Sequence, residues 1–416
     1  MSTSTMPVAG SGMNLTSLVE LPTKQWATRP DDERFWTVEE ARKAAWLYAQ
    51  TAKEQKIEYA QLEVTPVAGQ QLALMSRRTG ALAVMTNWAF GQLSGMVGAP
   101  AGYLRKLPEE LAASCLNEGL YQRTLDGAEA AEGVLLTHNG GDRPRIARAI
   151  TSDRYTRVWN WEVLQHGVEP LMAKGWKVPP GRPTSTPGNL QAALAADKVR
   201  YATERDVIKS AHPSLGVRVG DLIGPSGVYV SDHDCFVFLV QDSRSFDFQG
   251  KKLTRFMLVL NSEVGASSLT VVTGLLEEVC GNHILWGVAE ESLRAARFRH
   301  IGEGPLDKFR EQVQVTLHAL ERTKDSDTLQ QLEKSATMSW GLTNQAALEA
   351  VFKALSGEAP KKQLAAAQEA SEQLFDTDPR TSWGIVQGLS WVSQQQPHQD
   401  VRHKLDRAAA RLLEVF

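Results

Sequence analysis

The sequence predicts an α+β fold: a mixed or antiparallel sheet core with flanking helices and an all-α C-terminal subdomain. Three observations carry this reading. Apolar runs rich in β-branched and aromatic residues, bounded by turn residues, cluster in the middle of the chain, as at 235–240. Capped stretches with apolar residues near helical spacing precede and separate them. After about Pro305 the strand signals stop, and Ala, Gln, Leu, Glu and Lys dominate.

The 416 residues suffice for two or three domains and a sizeable core. Apolar residues make up 42% and charged residues 22%, ordinary values for a globular protein. The net charge of -3 creates no global attraction to nucleic acid or to a membrane surface, so any nucleic-acid site must be a local basic patch. The three cysteines, Cys115, Cys235 and Cys280, are far apart and lack Cys-x-x-Cys spacing. That argues against a zinc site or disulfide framework and fits a reducing, cytoplasmic setting. No apolar stretch of about 18 residues occurs, so no membrane span is expected. The first residues lack the basic-then-apolar grammar of a signal peptide.

Residues 1–22 read as a flexible Ser/Thr/Gly leader, 23–304 as the α+β core, and 305–416 as the helical subdomain. Thr37 and Glu40 form a T-x-x-E capping box, which predicts a helix from Thr37. Strands are expected over 57–64 and 71–76, with a turn at Arg77, Arg78 and Gly80. Trp88, Phe90, Leu93 and Val97 lie near helical spacing, and Gly98 and Pro100 end that helix. Strands at 134–137 and 146–151 flank Asn139-Gly140-Gly141-Asp142, which reads as a hairpin turn. A helix over 161–173 ends at Gly175. The prolines and glycines of 179–189 predict a loop.

Four strands follow, at 227–230, 235–240, 255–261 and 268–273, with a turn at Gln249-Gly250-Lys251. The unbroken run Phe236 to Val240 predicts a strand buried on both faces. Asn282 reads as the cap of a helix beginning near His283, with Arg294 and Arg297 on one face. Six C-terminal helices are expected, over 306–320, 327–336, 344–355, 361–375, 380–395 and 399–413.

No phosphate-binding Gly-rich loop, dinucleotide fingerprint, zinc-protease, serine-hydrolase or EF-hand pattern occurs, so no catalytic residue is named and no cofactor is expected. Asp232, His233 and Asp234 could offer acid, base or metal chemistry. On a strand, however, only Asp232 and Asp234 share a side, and a turn explains them as well. The polar break from Asn261 to Ser268 lies between two apolar strands, where sites are often built. Cys280, Asn282 and His283 invite a thiol-nucleophile reading, but no orienting element accompanies them. Arg294, Arg297, Arg299 and His300 form either a solvated basic face or an anion contact.

The richest stretch holds Arg143, Arg145, Arg148, Arg154, Tyr155, Arg157, Trp159 and Trp161, with Lys174, Trp176 and Lys177 after it. Cations interleaved with aromatics suit single-stranded nucleic acid: cations track phosphates and rings stack bases. The competing reading is a strand edge with surface arginines and core tryptophans.

Several of these stretches resemble the phage/plasmid-like proteins grouped as domain-of-unknown-function family 932. One runs from Asn87-Trp88-Ala89-Phe90-Gly91-Gln92-Leu93 through Gly98-Ala99-Pro100 to Tyr103-Leu104. A second is Arg148-Ala149-Ile150-Thr151-Ser152-Asp153-Arg154-Tyr155, with Trp159 and Val163. A third joins Leu260-Asn261-Ser262-Glu263-Val264-Gly265 to Val279-Cys280-Gly281-Asn282, Leu285-Trp286 and Arg299-His300. A fourth runs from Trp383-Gly384 to Gln399-Asp400-Val401-Arg402. Members often read Cys-Thr-Asn-Gly where this chain has Cys280-Gly281-Asn282-His283. The resemblance implies a mobile-element context and supplies no catalytic residue.

The expected function is therefore a phage/plasmid-type protein of DNA metabolism that binds single-stranded DNA without catalysis, in the cytoplasm and as a homo-oligomer. Its binding residues would be Arg148, Arg154, Tyr155, Arg157, Lys174 and Trp176. Asn261, Glu263, Arg297 and His300 form a second candidate site. Two alternatives stand beside it. One is an interaction protein acting on a host defence or replication factor through the C-terminal helices. The other is a metal-dependent enzyme on nucleic acid, with Asp232 and Asp234 as ligands.

Overall fold

The computed structural model describes residues 34–67, 71–123, 125, 132–140, 143–179, 182–183, 187–204, 206, 217–225, 227–231, 234–277, 282–284, 295–322 and 325–394, with Leu405, Ala408, Ala409 and 411–413. β1 (Arg34–Phe35) leads into α1 (Val38–Gln50). The α1 capping box closes as expected: the Thr37 hydroxyl accepts from the Glu40 amide at 3.1 Å. β2 (Ala52–Glu58), β3 (Leu62–Val67), β4 (Gln71–Ser76) and β5 (Leu82–Met85) follow. Next come α2 (Asn87–Met96), α3 (Ala101–Leu104) and α4 (Glu109–Arg123). β6 (Glu132–Gly140) and β7 (Arg143–Ser152) pair as the expected hairpin.

α5 (Asn160–Val163) passes through a π-helical turn (Leu164–Val168) into α6 (Glu169–Met172). β8 (Arg182–Pro183), α7 (Leu190–Ala195), β9 (Arg200–Tyr201) and β10 (Leu222–Gly224) build a small antiparallel sheet with one short helix. β11 (Val228–Val230), β12 (Cys235–Phe248), β13 (Lys251–Asn261), β14 (Leu269–Glu277), β15 (Asn282–Ile284) and β16 (Ala295–Phe298) complete the strands. The chain then turns helical in α8 (Pro305–Arg322), α9 (Asp325–Thr337), α10 (Asn344–Ala354), α11 (Lys361–Phe375) and α12 (Ser382–Gln394).

The fold is α+β, and two larger sheets organise it. The first is ordered β2-β6-β7-β5-β4-β3, antiparallel except for the parallel β5–β7 pair. Its core packs Leu72, Leu74 and Met85 against Phe90, Leu93, Leu116 and Leu120 of α2 and α4. The second is ordered β1-β11-β12-β13-β14-β15, with β16 also on β14. One face packs Val237, Leu239, Met257, Val259 and Val271 against α1, α5 and α8. The other buries Phe236, Phe238, Phe256 and Leu258. Both faces of β12 are thus covered, as its unbroken apolar run requires. Among the described residues no helix is long and apolar enough to cross a membrane.

The structure departs from the sequence reading at several points. The first C-terminal helix, α8, packs Phe309, Val313, Leu317 and Leu320 into the second sheet's core rather than among the later helices. The helical unit also owns part of the sheet. A register shift in β12 between Gln241 and Ser245 bends the long β12–β13 ribbon. Its tip delivers Phe248 and Leu253 to the helical core, where Phe248 meets Trp383 edge-on at 5.0 Å. Gln249 and Gly250 both adopt positive φ, the hairpin turn expected there.

Asn282–Ile284 is a strand on β14 rather than the start of a helix, and Arg297 lies on β16 rather than on a helical face. The single strand expected over 57–64 is broken by a 3-10 turn at Tyr59–Gln61 into β2 and β3, and β2 begins already at Ala52, in a stretch, Lys53-Glu54-Gln55-Lys56, that carries no apolar alternation. β2 is an edge strand whose charged side chains face water. The leader, the loop core of 179–189, Cys280 and most of the helix expected over 399–413 lie outside the described residues.

α12 is buried along most of its length because two glycines admit close neighbours, Gly388 the α11 backbone and Gly384 the loop between α11 and α12. A Cβ on Gly388 would stand 1.8 Å from the Ala367 carbonyl oxygen, and one on Gly384 would stand 2.0 Å from that of Asp378. Gly388→Ala is expected to destabilise the protein by about 3 kcal/mol in denaturant titration, since neither backbone can give way. The exposed helical Gly95, whose Cβ would meet nothing within 4 Å, is the control: Gly95→Ala should stabilise by about 0.5–1 kcal/mol.

Candidate functional site

The two sheets meet at the turn between β13 and β14, and the meeting point is polar. Asn261 ends β13, and Ser262, Glu263, Val264 and Gly265 form the turn, with Gly265 at φ +82°. Val264 packs on Leu136 and Ala149 of the first sheet. Two α2 side chains hold its carbonyl: Trp88 Nε1 donates at 2.7 Å and Gln92 Nε2 at 2.9 Å. Gln92 Oε1 accepts from the Ile150 amide at 2.9 Å, which ties the same helix to β7.

Arg148 reaches this turn because of a β-bulge. In the β6–β7 register Leu136 faces Ala149 and Thr137 faces Ala147, so Arg148 is the extra residue. Ala147 and Ile150 point to the first core, which leaves Arg148 and Ala149 together on the opposite side. Arg148 is 0% exposed and its Nη1 lies 3.0 Å from Glu263 Oε2. Glu263 Oε1 accepts from the Asn160 amide at 2.8 Å, and Asn160 Oδ1 accepts from Asn261 Nδ2 at 2.8 Å. The Glu263 carboxylate therefore anchors the start of α5 as well as β7.

Arg148 Nη1 also donates to His138 Nε2 at 2.7 Å. The His138 ring stacks on Tyr48 at 4.0 Å, and the Arg148 guanidinium lies over the same ring at 4.6 Å. His138 is held neutral, far below the usual imidazole range, first by burial and then by the Arg148 and Arg157 charges. Arg157 is a second cation at the junction. Its Nε pairs with Glu54 of β2 and its Nη1 donates to the Glu263 carbonyl. Its guanidinium lies over Tyr155 at 5.3 Å and over Trp159 at 5.8 Å. Tyr155 donates to the Ser262 carbonyl at 2.9 Å and stacks on His300 at 5.1 Å. Burial raises the Tyr155 phenol well above its usual value, against the opposing charge of Arg157.

The structure thus merges the two candidate sets into one buried network. Arg148, Tyr155 and Arg157 from the first meet Asn261, Glu263 and His300 from the second. It also removes residues from any surface. Arg148 and Trp176, at 0% and 2% exposure, face no solvent, and Trp176 belongs to the second sheet's core. The six residues expected to bind nucleic acid do not share one face. Arg154 and Lys174 are exposed, and Lys174 reaches towards Gln314 of α8 at 3.4 Å. Arg297 is exposed on β16, apart from its buried partners of the second set.

Asp234 sits in a turn and accepts from the Ser231 hydroxyl at 3.0 Å, while Asp232 and His233 lie outside the described residues. Among the described residues no three His, Cys, Asp or Glu side chains gather as metal ligands. Tyr48, Thr51, Glu54, His138 and Asn160 carried no signal in the sequence. Each is an ordinary residue type that tertiary packing alone brings to the junction.

Glu263→Gln should destabilise the protein by about 3 kcal/mol or more, because it leaves the Arg148 charge buried without a counter-charge. Glu54→Gln, which leaves the nearly buried Arg157 side chain its hydrogen bond to the Glu263 carbonyl, should cost less, about 1–2 kcal/mol. Denaturant titration of both variants checks the contrast.

His300 is 4% exposed, and its ring nitrogens find no hydrogen-bond partner among the described residues. Burial lowers it from 6.5 to about 4. On acidification the unfolded chain takes up this proton first. Stability is therefore full above pH 6.5 and falls as pH drops towards 4. Between pH 7.5 and 5 the loss from this imidazole should be about 2 kcal/mol, and His300→Phe should remove it from the pH profile. The chain matches no family model, no curated protein and no solved structure, so the geometry of this junction and its rim carries the functional reading.

Proposed function

We propose that this is a phage/plasmid-type protein of DNA metabolism that binds single-stranded DNA without catalysis, through exposed cations on the rim of the buried junction. One observation carries the reading. Tyr155 pairs antiparallel with Ile301, and the Thr156 amide donates to the His300 carbonyl at 2.9 Å. This pairing brings two basic segments, distant in sequence, side by side: Arg154 from one, Arg297 and Arg299 from the other, all exposed. Arg154 and Arg299 make no ion pair among the described residues. Tyr155 and Trp159 lie beside them, half-buried and held by the Arg157 guanidinium. Exposed cations around rings held by the Arg157 guanidinium suit a flexible phosphate chain with unstacked bases.

Arg148 and Glu263 are buried against each other and offer no face to a ligand, so the reading rests on the rim alone. The resemblance of 148–155 and 260–265 to phage/plasmid-like proteins supports the biological setting. In this chain those segments build the junction, and the residues flanking them form its rim.

The test is titration of the full chain with a labelled single-stranded oligonucleotide and with its duplex, at two salt concentrations. The single strand should bind more tightly, with log affinity falling against log salt at a slope near about -2 for three phosphate contacts. The combined Arg154→Ala, Arg299→Ala change should weaken binding about tenfold while leaving the unfolding midpoint unchanged. Absence of binding to either form at low salt would overturn the proposal. Changing Arg148 or Arg157 is the wrong test, because removing either disturbs the junction itself.

A further inference from the structure

We infer that the junction between the two sheets is a proton-gated latch: it closes only with His138 neutral, and a proton taken up there releases the β13–β14 turn from the first sheet. Arg148 Nη1 can only donate, so His138 Nε2, 2.7 Å away, must accept and must carry no proton. The ring's single proton then sits on Nδ1, which faces the Thr51 hydroxyl oxygen at 2.8 Å. That hydroxyl donates in turn to the Tyr48 carbonyl at 2.8 Å. Every partner in the chain is committed, and a second proton on the imidazole has no acceptor.

The charges around the ring point the same way. β7 presents Arg148, the segment after it Arg157, the β13–β14 turn Glu263 and β2 Glu54. α1 presents the Tyr48 ring, and the stretch after β16 presents His300 through Tyr155. The two cations and two carboxylates balance, so an imidazolium adds an uncompensated charge beside Arg148, a like charge. Glu263 is the group that both holds the turn on Arg148 and anchors α5 through Asn160. Because the same Arg148 Nη1 serves both His138 and Glu263, a guanidinium displaced from the imidazolium also leaves Glu263, and the turn parts with it.

The consequence is measurable in the full chain. An open junction leaves His138 with an ordinary imidazole affinity for protons. Lowering the pH from 7.5 to 5.5 should then raise the open fraction by about tenfold for this one site. Hydrogen exchange, corrected for intrinsic pH dependence, reads that fraction at the amides of β7 and of Ser262 to Ala266. The wild-type chain should show at least a tenfold rise there, while the distant α11–α12 amides change less. His138→Gln keeps an acceptor for Arg148 and lacks the titrating group, so it should reduce the rise by about tenfold. An equal rise in wild type and His138→Gln, or none in wild type, overturns the inference. If His138→Gln fails to fold, the ¹⁵N spectrum of histidine-labelled wild type decides. A neutral ring protonated on Nδ1 and persisting at pH 5.5 is expected. A His138 ring that titrates freely near 6.5 with the turn still protected would overturn the latch.

Discussion

The buried pairing of Arg148 with Glu263 is the constraint on which the rest of the molecule depends. An isolated charge in either sheet core would carry a desolvation cost of several kcal/mol, so each group is tolerable only because the other is there. Arg148 belongs to a central strand of one sheet and Glu263 to a turn of the other. Their mutual need therefore fixes the placement of two layers, not of two side chains. Asn160, Asn261, Arg157 and Gln92 add hydrogen bonds at Glu263 Oε1, Asn160 Oδ1, the Glu263 carbonyl and the Ile150 amide. A pair of this kind adds little net stability compared with apolar packing.

Apolar packing does the complementary work. Each sheet has its own helices and its own core, and a ribbon bent by a bulge carries Phe248 and Leu253 into a third core among the C-terminal helices. The units are tied by shared elements rather than by flat faces. The β12–β13 ribbon spans the second sheet and the helical unit, and α8 closes the sheet before the helical unit starts. Cations that remain outside this framework, such as Arg154 and Arg299, sit on a rim whose shape the junction determines. That is how a buried structural network and an exposed recognition surface can occupy the same segments of chain.

Much of the fold was legible in the sequence because it is local. The Thr37–Glu40 box, the apolar run of Phe236 to Leu239, the Gln249-Gly250 turn and the helical segments after 305 are each specified by residues within one turn or one strand. The site was legible only in part. The composition of 148–161 and of 261–265 marked both segments as unusual, yet alternation along a strand could not show that a bulge turns Arg148 inward. Cations beside aromatics look the same in sequence whether the rings stack on bases or on the protein's own guanidinium groups. Arg157 between Tyr155 and Trp159 is the second case.

Fold class, the helix start at Thr37 and the Gln249-Gly250 turn were determined by the sequence alone, since propensity, capping and periodicity act over a few residues, whereas the cap read at Asn282 yielded to strand pairing with β14. Which charges are buried, which tautomer His138 holds, and which arginines remain on the surface were decided by the tertiary structure. Those properties depend on partners about 100 residues away, such as Glu263 for Arg148 and Arg157 for Glu54, which only the packing of two sheets brings within hydrogen-bond reach. Burial and hydrogen-bond direction are properties of that packing, and no local pattern carries them.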